Sequence, residues 1–170
     1  MKWTTRNIAL CAVLTALALG LSTLENLFPV TLVIPLPGVK LGLANIVTVF
    51  ALYELGAVPA LVILLARCCL GGVFAGNLSA LLFSLLGGLT AMLTMILLKH
   101  FRRLSIYGVS IGGAAAHNLG QMAAACITLG STMVLGYLPF LLAVSLATGT
   151  LTGFVSALLF RAMRNIHLTH

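Results

Sequence analysis

Arg67 stands in the apolar run VPALVILLARCCLGGVFAG, and His117, Asn118 and Gln121 stand in the run GVSIGGAAAHNLGQMAAACITL. A guanidinium, an imidazole and two carboxamides can hold a ligand through charge and directional hydrogen bonds. Both runs are long and apolar enough to be membrane helices. An ionisable group at bilayer depth costs about 3 kcal/mol or more unless it is paired or faces water, so its presence points to function by default. A structural alternative stands beside that reading. Arg67 could pair with Glu25 to hold helices together, and His117 and Gln121 could bridge helices by hydrogen bonds.

Other chemistry is missing from the chain. It contains no aspartate, and its only acids are Glu25 and Glu54. Magnesium–diphosphate chemistry uses clustered carboxylates, which two separated glutamates cannot supply. GxxxxGK[ST], GxSxG and HExxH are all absent, and the four histidines have no zinc-ligand spacing. Cys11, Cys68, Cys69 and Cys126 lie inside apolar runs without CxxC spacing and read as small packing residues. The net charge of +7 reflects missing acids as much as abundant bases. Those bases form no dense run with interleaved aromatics, which argues against nucleic-acid binding. An independent enzyme is not expected, nor is a bound cofactor or metal.

The elements that must position these groups are membrane helices. The 170 residues are 61% hydrophobic and 6% charged, with mean hydropathy +1.20, whereas a soluble domain carries about 25% charged residues. The composition predicts an integral membrane protein of a single all-α domain over residues 1–170. Hydropathy and Gly/Pro punctuation predict six crossings, at about 7–27, 41–55, 58–74, 78–98, 107–129 and 133–163. The first run has the layout of a signal peptide but continues past one, and reads as a retained helix. Asn77 is a candidate cap for the fourth helix. Lys2 and Arg6, the loop with Lys99, His100, Arg102 and Arg103, and the end with Arg161 and Arg164 fall on one side of an even-numbered bundle. The positive-inside rule makes that side the cytoplasm and both termini cytoplasmic. The segment FPVTLVIPLPGVK, with Pro29, Pro35 and Pro37, cannot be a regular helix and reads as an outer loop over the bundle mouth, either a gate or an ordinary interfacial loop.

Depth then brings the polar groups together. Arg67 is about nine residues past the start of its helix, or about 14 Å, and His117 about ten residues, or about 15 Å, along a helix running the same way. His117 and Gln121 are one turn apart on one face, with Asn118 offset by about 100°. Glu25, Lys40, Asn45 and Asn77 all fall in the outer half of the predicted bundle, so that they, with Arg67, His117, Asn118 and Gln121, are candidate ligand-binding residues. Small-xxx-small pairs, Ala12-xxx-Ala16, Gly72-xxx-Gly76, Gly108-xxx-Gly112 and Gly149-xxx-Gly153, allow helices to approach closely.

The stretches PGVKLGLANIVTVFAL, RCCLGGVFAGN, FSLLGGL and SIYGVSIGGAAAHNLGQ resemble the bacterial Gx transporter family, also labelled heptaprenyl diphosphate synthase component I, over about Ile8 to Phe160. That family is similar in architecture to the substrate-binding S components of energy-coupling factor transporters. Those bind a vitamin or related solute from outside and dock through small residues of the first helix onto a coupling subunit driven by two ATPases. The resemblance implies that Ala12 and Ala16 face such a partner in the cell membrane. It further implies a solute-binding subunit with an outward-facing pocket for a vitamin-like, flavin-like or isoprenoid-related ligand. Two other roles remain open: a membrane component of a quinone- or flavin-linked electron-transfer system, with His117 as a polar contact to a quinone, and a non-catalytic accessory subunit of a prenyl diphosphate synthase.

Overall fold

The computed structural model describes the backbone of residues 5–27, 42–101 and 103–167. Six α-helices and no strand occur among them. They are α1 (Thr5–Leu27), α2 (Leu43–Glu54), α3 (Ala57–Ala75), α4 (Leu78–Lys99), α5 (Ile106–Leu129) and α6 (Leu138–His167). Lys40 and the proline-rich segment lie outside the described residues.

Local chemistry explains the breaks. Gly76 ends α3 in the left-handed region at φ 58°, which a residue without Cβ adopts at little cost. The next residue, Asn77, caps α4 as expected: its Oδ1 accepts from the Ser79 N–H at 2.9 Å and the Ala80 N–H at 3.4 Å. The final apolar run differs from the single predicted helix. Thr132–Tyr137 forms a 3₁₀ helix before α6 begins. Pro139 has no N–H to give the Leu135 carbonyl, and Leu138 N–H bonds to it instead, so the tighter ladder replaces the α-helical one there.

Among the described residues, four helices are long and apolar enough to cross a membrane: α1, α3, α4 and the span Thr132–Ala162, which holds most of α6. At 12 residues, α2 is about 18 Å long, short of a hydrocarbon layer of about 30 Å. The length of α5 suffices, but His117, Asn118, Gln121 and its glycines dilute its hydropathy, and it is not among the four.

α5 lies between α4 and α6, while α1 packs on α2 and α3. Glycine makes the α4–α5–α6 contacts possible. A Cβ on Gly120 would collide with the Leu86 carbonyl oxygen and the Thr90 hydroxyl of α4. One on Gly149 would lie 2.5 Å from Ile111 Cα, and one on Gly153 3.1 Å from Tyr107 Cα. Across the α4–α5 contact the Thr90 hydroxyl reaches the Ala116 carbonyl at 2.9 Å. Of the other small pairs, Gly72 meets Leu81, whereas Gly76 faces open space.

The apolar core gathers Val49, Leu52, Ile63, Leu64, Met92, Met95 and Val109. It fills the half of the bundle where α2 ends and α3 begins. At that end Lys99 donates to the Leu52 carbonyl at 2.7 Å, 4.7 Å above the Tyr53 ring. Phe160 of α6 stacks on Phe50 there, at 5.4 Å between centroids. The opposite half holds the polar groups.

Candidate ligand-binding site

Arg67 occupies the middle of α3 and His117 the middle of α5, the depth match that helix rise predicts. Around them the bundle leaves a cavity of about 20 Å³, room for roughly one water molecule. Its walls include Glu25 from α1, Asn45 from α2, Arg67 from α3, Ser84 from α4, and His117 and Gln121 from α5. Five of the eight predicted site residues thus share one cavity.

The geometry of each follows from its element. Glu25 is buried near the end of α1, and its Oε1 accepts from the Gly42 N–H at 2.7 Å. Gly42 is the residue before α2, held at φ 78°, so the carboxylate supplies an anion to a helix N-terminus where backbone N–H groups lack intrahelical partners. One turn into α2, Asn45 Oδ1 accepts from Arg67 Nη2 at 3.1 Å. The hydrogen bonds of the two residues expected to pair thus go elsewhere: Arg67 bonds to Asn45, and Glu25 bonds to Gly42. Arg67 is half-buried; its Nε is enclosed and has no hydrogen-bond partner among the described residues, an arrangement that costs free energy.

His117 and Gln121 depend on a glycine opposite them. A Cβ on Gly87 of α4 would lie 2.9 Å from His117 Cε1 and 2.9 Å from Gln121 Cγ. Gly87 therefore creates the space these two side chains occupy.

The remaining predicted residues are placed elsewhere. Asn118 is buried but faces α6, where its Nδ2 donates to the Leu141 carbonyl at 2.8 Å; its 100° offset from His117 carries it out of the cavity. Asn77 is exposed, and its carbonyl oxygen is committed to capping α4. Ala12 and Ala16 are both exposed on α1.

Sequence reasoning did not single out Ser22, Ser84 and Gly87. Ser84 lies six residues into α4, about 9 Å from its start, and Arg67 eight residues from the end of α3, about 12 Å. That depth match was the available signal. A second cavity, of about 180 Å³, adjoins the first, and Ser22, Arg67 and Ser84 line both.

The site offers a guanidinium, a carboxylate, an imidazole, two carboxamides and two hydroxyls in an otherwise apolar half-bundle. Such a set binds and orients a polar ligand. No group of three or more His, Cys, Asp or Glu side chains arranged for a metal ion occurs among the described residues.

A family profile described as heptaprenyl diphosphate synthase component I matches residues 14–159. No curated protein and no solved structure matches the chain. The profile spans most of the sequence, and this helical protein, with four helices fit to cross a membrane, belongs to the heptaprenyl diphosphate synthase component I family.

Proposed function

We propose that this protein is a solute-binding subunit of a membrane transporter, built like the S component of an energy-coupling factor system. In this reading all six helices form one bundle in the cell membrane with both termini in the cytoplasm. The grouping of Lys99, His100, Arg103 and Arg161 where α4 and α6 end supports that orientation. One observation carries the functional reading. Glu25, Asn45, Arg67, His117 and Gln121 converge from four helices on one cavity in the half that would face outward.

Arg67 would bind an anionic or carbonyl part of the solute, with His117 and Gln121 adding directional hydrogen bonds. The chain binds rather than turns over its ligand; a chain without aspartate supports that view. The ligand is a small vitamin-like, flavin-like or isoprenoid-related molecule. Energy would come from a coupling subunit and its ATPases, docking on the exposed Ala12 and Ala16 face of α1.

The test is a thermal-stabilisation screen of the purified protein in nanodiscs against vitamins, flavins, isoprenoid diphosphates and quinones. The expected hit is water-soluble, and is lost in Arg67→Ala and His117→Ala but kept in Gly20→Ala, where an added methyl meets nothing within 4 Å. A hit indifferent to Arg67 and His117 would sink the assignment. A response to quinones alone would favour electron transfer over transport. Co-purification with a coupling subunit, lost in Ala12→Trp, tests the docking face.

A further inference from the structure

The two cavities adjoin, and Arg67 stands where they meet. The smaller one is walled by charged and polar groups, among them Glu25, Asn45, His117 and Gln121. The larger one, about 180 Å³, lies over α3 between α1 and α4. Ser22, Thr23, Arg67 and Ser84 give it polar lining, and Leu19, Gly71, Phe74 and Ala80 give it apolar lining. Phe74 is 73% exposed, so this lining leads from the half-buried Arg67 to the bundle surface. The smaller cavity has room for about one water, too little for an organic ligand. Any ligand that reaches Arg67 in this conformation must place its bulk in the larger cavity.

From this arrangement we infer that the ligand is a small amphipathic anion. Its oxygen-bearing head lies at Arg67, Ser22 and Ser84, which line both cavities, and so beside His117 and Gln121 of the smaller one, and its short apolar tail lies along Leu19, Gly71 and Phe74. Arg67 lines both cavities and is only partly buried, and its guanidinium is the donor group the head meets. A charge-assisted bond to a carboxylate or phosphate oxygen is among the strongest such contacts. The inference rests on the reading of Arg67 as a ligand-binding residue, and it adds the second half of the molecule.

Gly71 fixes where the tail can run. A Cβ there would meet Leu19 Cδ1 at an ordinary 3.5 Å, so a methyl is tolerated while a longer side chain enters the cavity. The probes are inorganic phosphate, ethyl phosphate and butyl phosphate, titrated by calorimetry into the full chain in nanodiscs. Protein-free nanodiscs give the partitioning blank. Butyl phosphate should bind more tightly than ethyl phosphate by about fourfold per added methylene, and both should be lost in Arg67→Met. Gly71→Leu should erase the gain from the tail and keep the binding of inorganic phosphate. Ala80→Leu, which enters the same cavity from α4, should do the same should Gly71→Leu fail to fold. Equal affinity for all three probes in the wild type, or a tail gain that survives both leucine variants, overturns the amphipathic ligand while leaving Arg67 as an anion site. Failure of every probe to bind, or binding unchanged in Arg67→Met, overturns the Arg67 reading and this inference with it.

Discussion

Replacing Arg67 by methionine separates a binding residue from a structural tie. An arginine at the centre of a membrane helix costs about 2.5–3.5 kcal/mol on insertion scales. Against that stand the attraction of the Glu25 carboxylate in the same cavity and one hydrogen bond, Arg67 Nη2 to Asn45 Oδ1 at 3.1 Å, the bond worth about 1.5–3 kcal/mol because one partner is charged. Arg67→Met alone removes the cost and the bond together, and it strands Asn45 Oδ1, for about 1–3 kcal/mol more. The single variant should therefore be close to neutral or mildly destabilised. The double variant Arg67→Met/Asn45→Leu removes the stranded oxygen as well. It should be more stable than the wild type by up to about 2 kcal/mol, as when other buried ionic groups give way to apolar ones of similar volume. A thiol-reactive dye reads the melt in a Cys69→Ala/Cys126→Ala background, since those two thiols are exposed or partly so, whereas Cys11 and Cys68 are buried in the folded protein and become reactive on unfolding. The dye melt should show a raised midpoint for the double variant, with ligand binding abolished. A midpoint lowered by the equivalent of 2 kcal/mol or more would refute the reasoning and make Arg67–Asn45 a tie between α2 and α3.

Three further outcomes follow from the packing. Gly87→Ala places a methyl 2.9 Å from both His117 and Gln121; at an overpacking cost of about 1–3 kcal/mol it should weaken ligand affinity about 5- to 150-fold, measured by calorimetry against Gly20→Ala. Asn118→Leu removes only the α5–α6 bond to Leu141; it should lower stability by about 1 kcal/mol and leave the dissociation constant unchanged. Gly149→Ala drives a methyl against the Ile111 backbone, which no rotamer change relieves. Its dye melt should fall by the equivalent of about 1–3 kcal/mol, well beyond the fall in Gly20→Ala.

The residues legible in the sequence were those whose burial is expensive. Arg67 and His117 stand out inside apolar runs, and the fixed rise of a helix put them at one level before any contact was known. Rotation about the helix axis was less accessible, because it depends on which neighbour lies where. Asn118 is next to His117 in the chain and faces a different helix. Asn77 had two plausible uses, cap and ligand contact, and the capping geometry took its carbonyl oxygen. Ser22 and Ser84 do not stand out by residue type for the opposite reason: a hydroxyl in a helix can bond to its own backbone, so only depth could mark Ser84 as a neighbour of Arg67. The glycines of FSLLGGL were visible as small residues, but which one meets His117 is a fact of tertiary approach. The 3₁₀ helix before α6 was missed because hydropathy is indifferent to which hydrogen-bond ladder carries an apolar run.

The polar load on α5 also bears on how the protein is made. In the six-crossing arrangement α5 must enter the bilayer, yet its hydropathy is below that of the four helices fit to cross alone. Its glycines seat it against α4, where a Cβ on Gly113 would strike Met95, and the Thr90 hydroxyl reaches its Ala116 carbonyl. Translation delivers α4 first, so α5 leaves the ribosome with a lipid-embedded partner waiting, and α6 follows to cover Asn118. The insertion machinery would thus handle α4 and α5 as a hairpin and release α5 to lipid only with its neighbours. Chains that stop after α5 would leave Asn118 without its α6 acceptor, a state that membrane quality control can recognise.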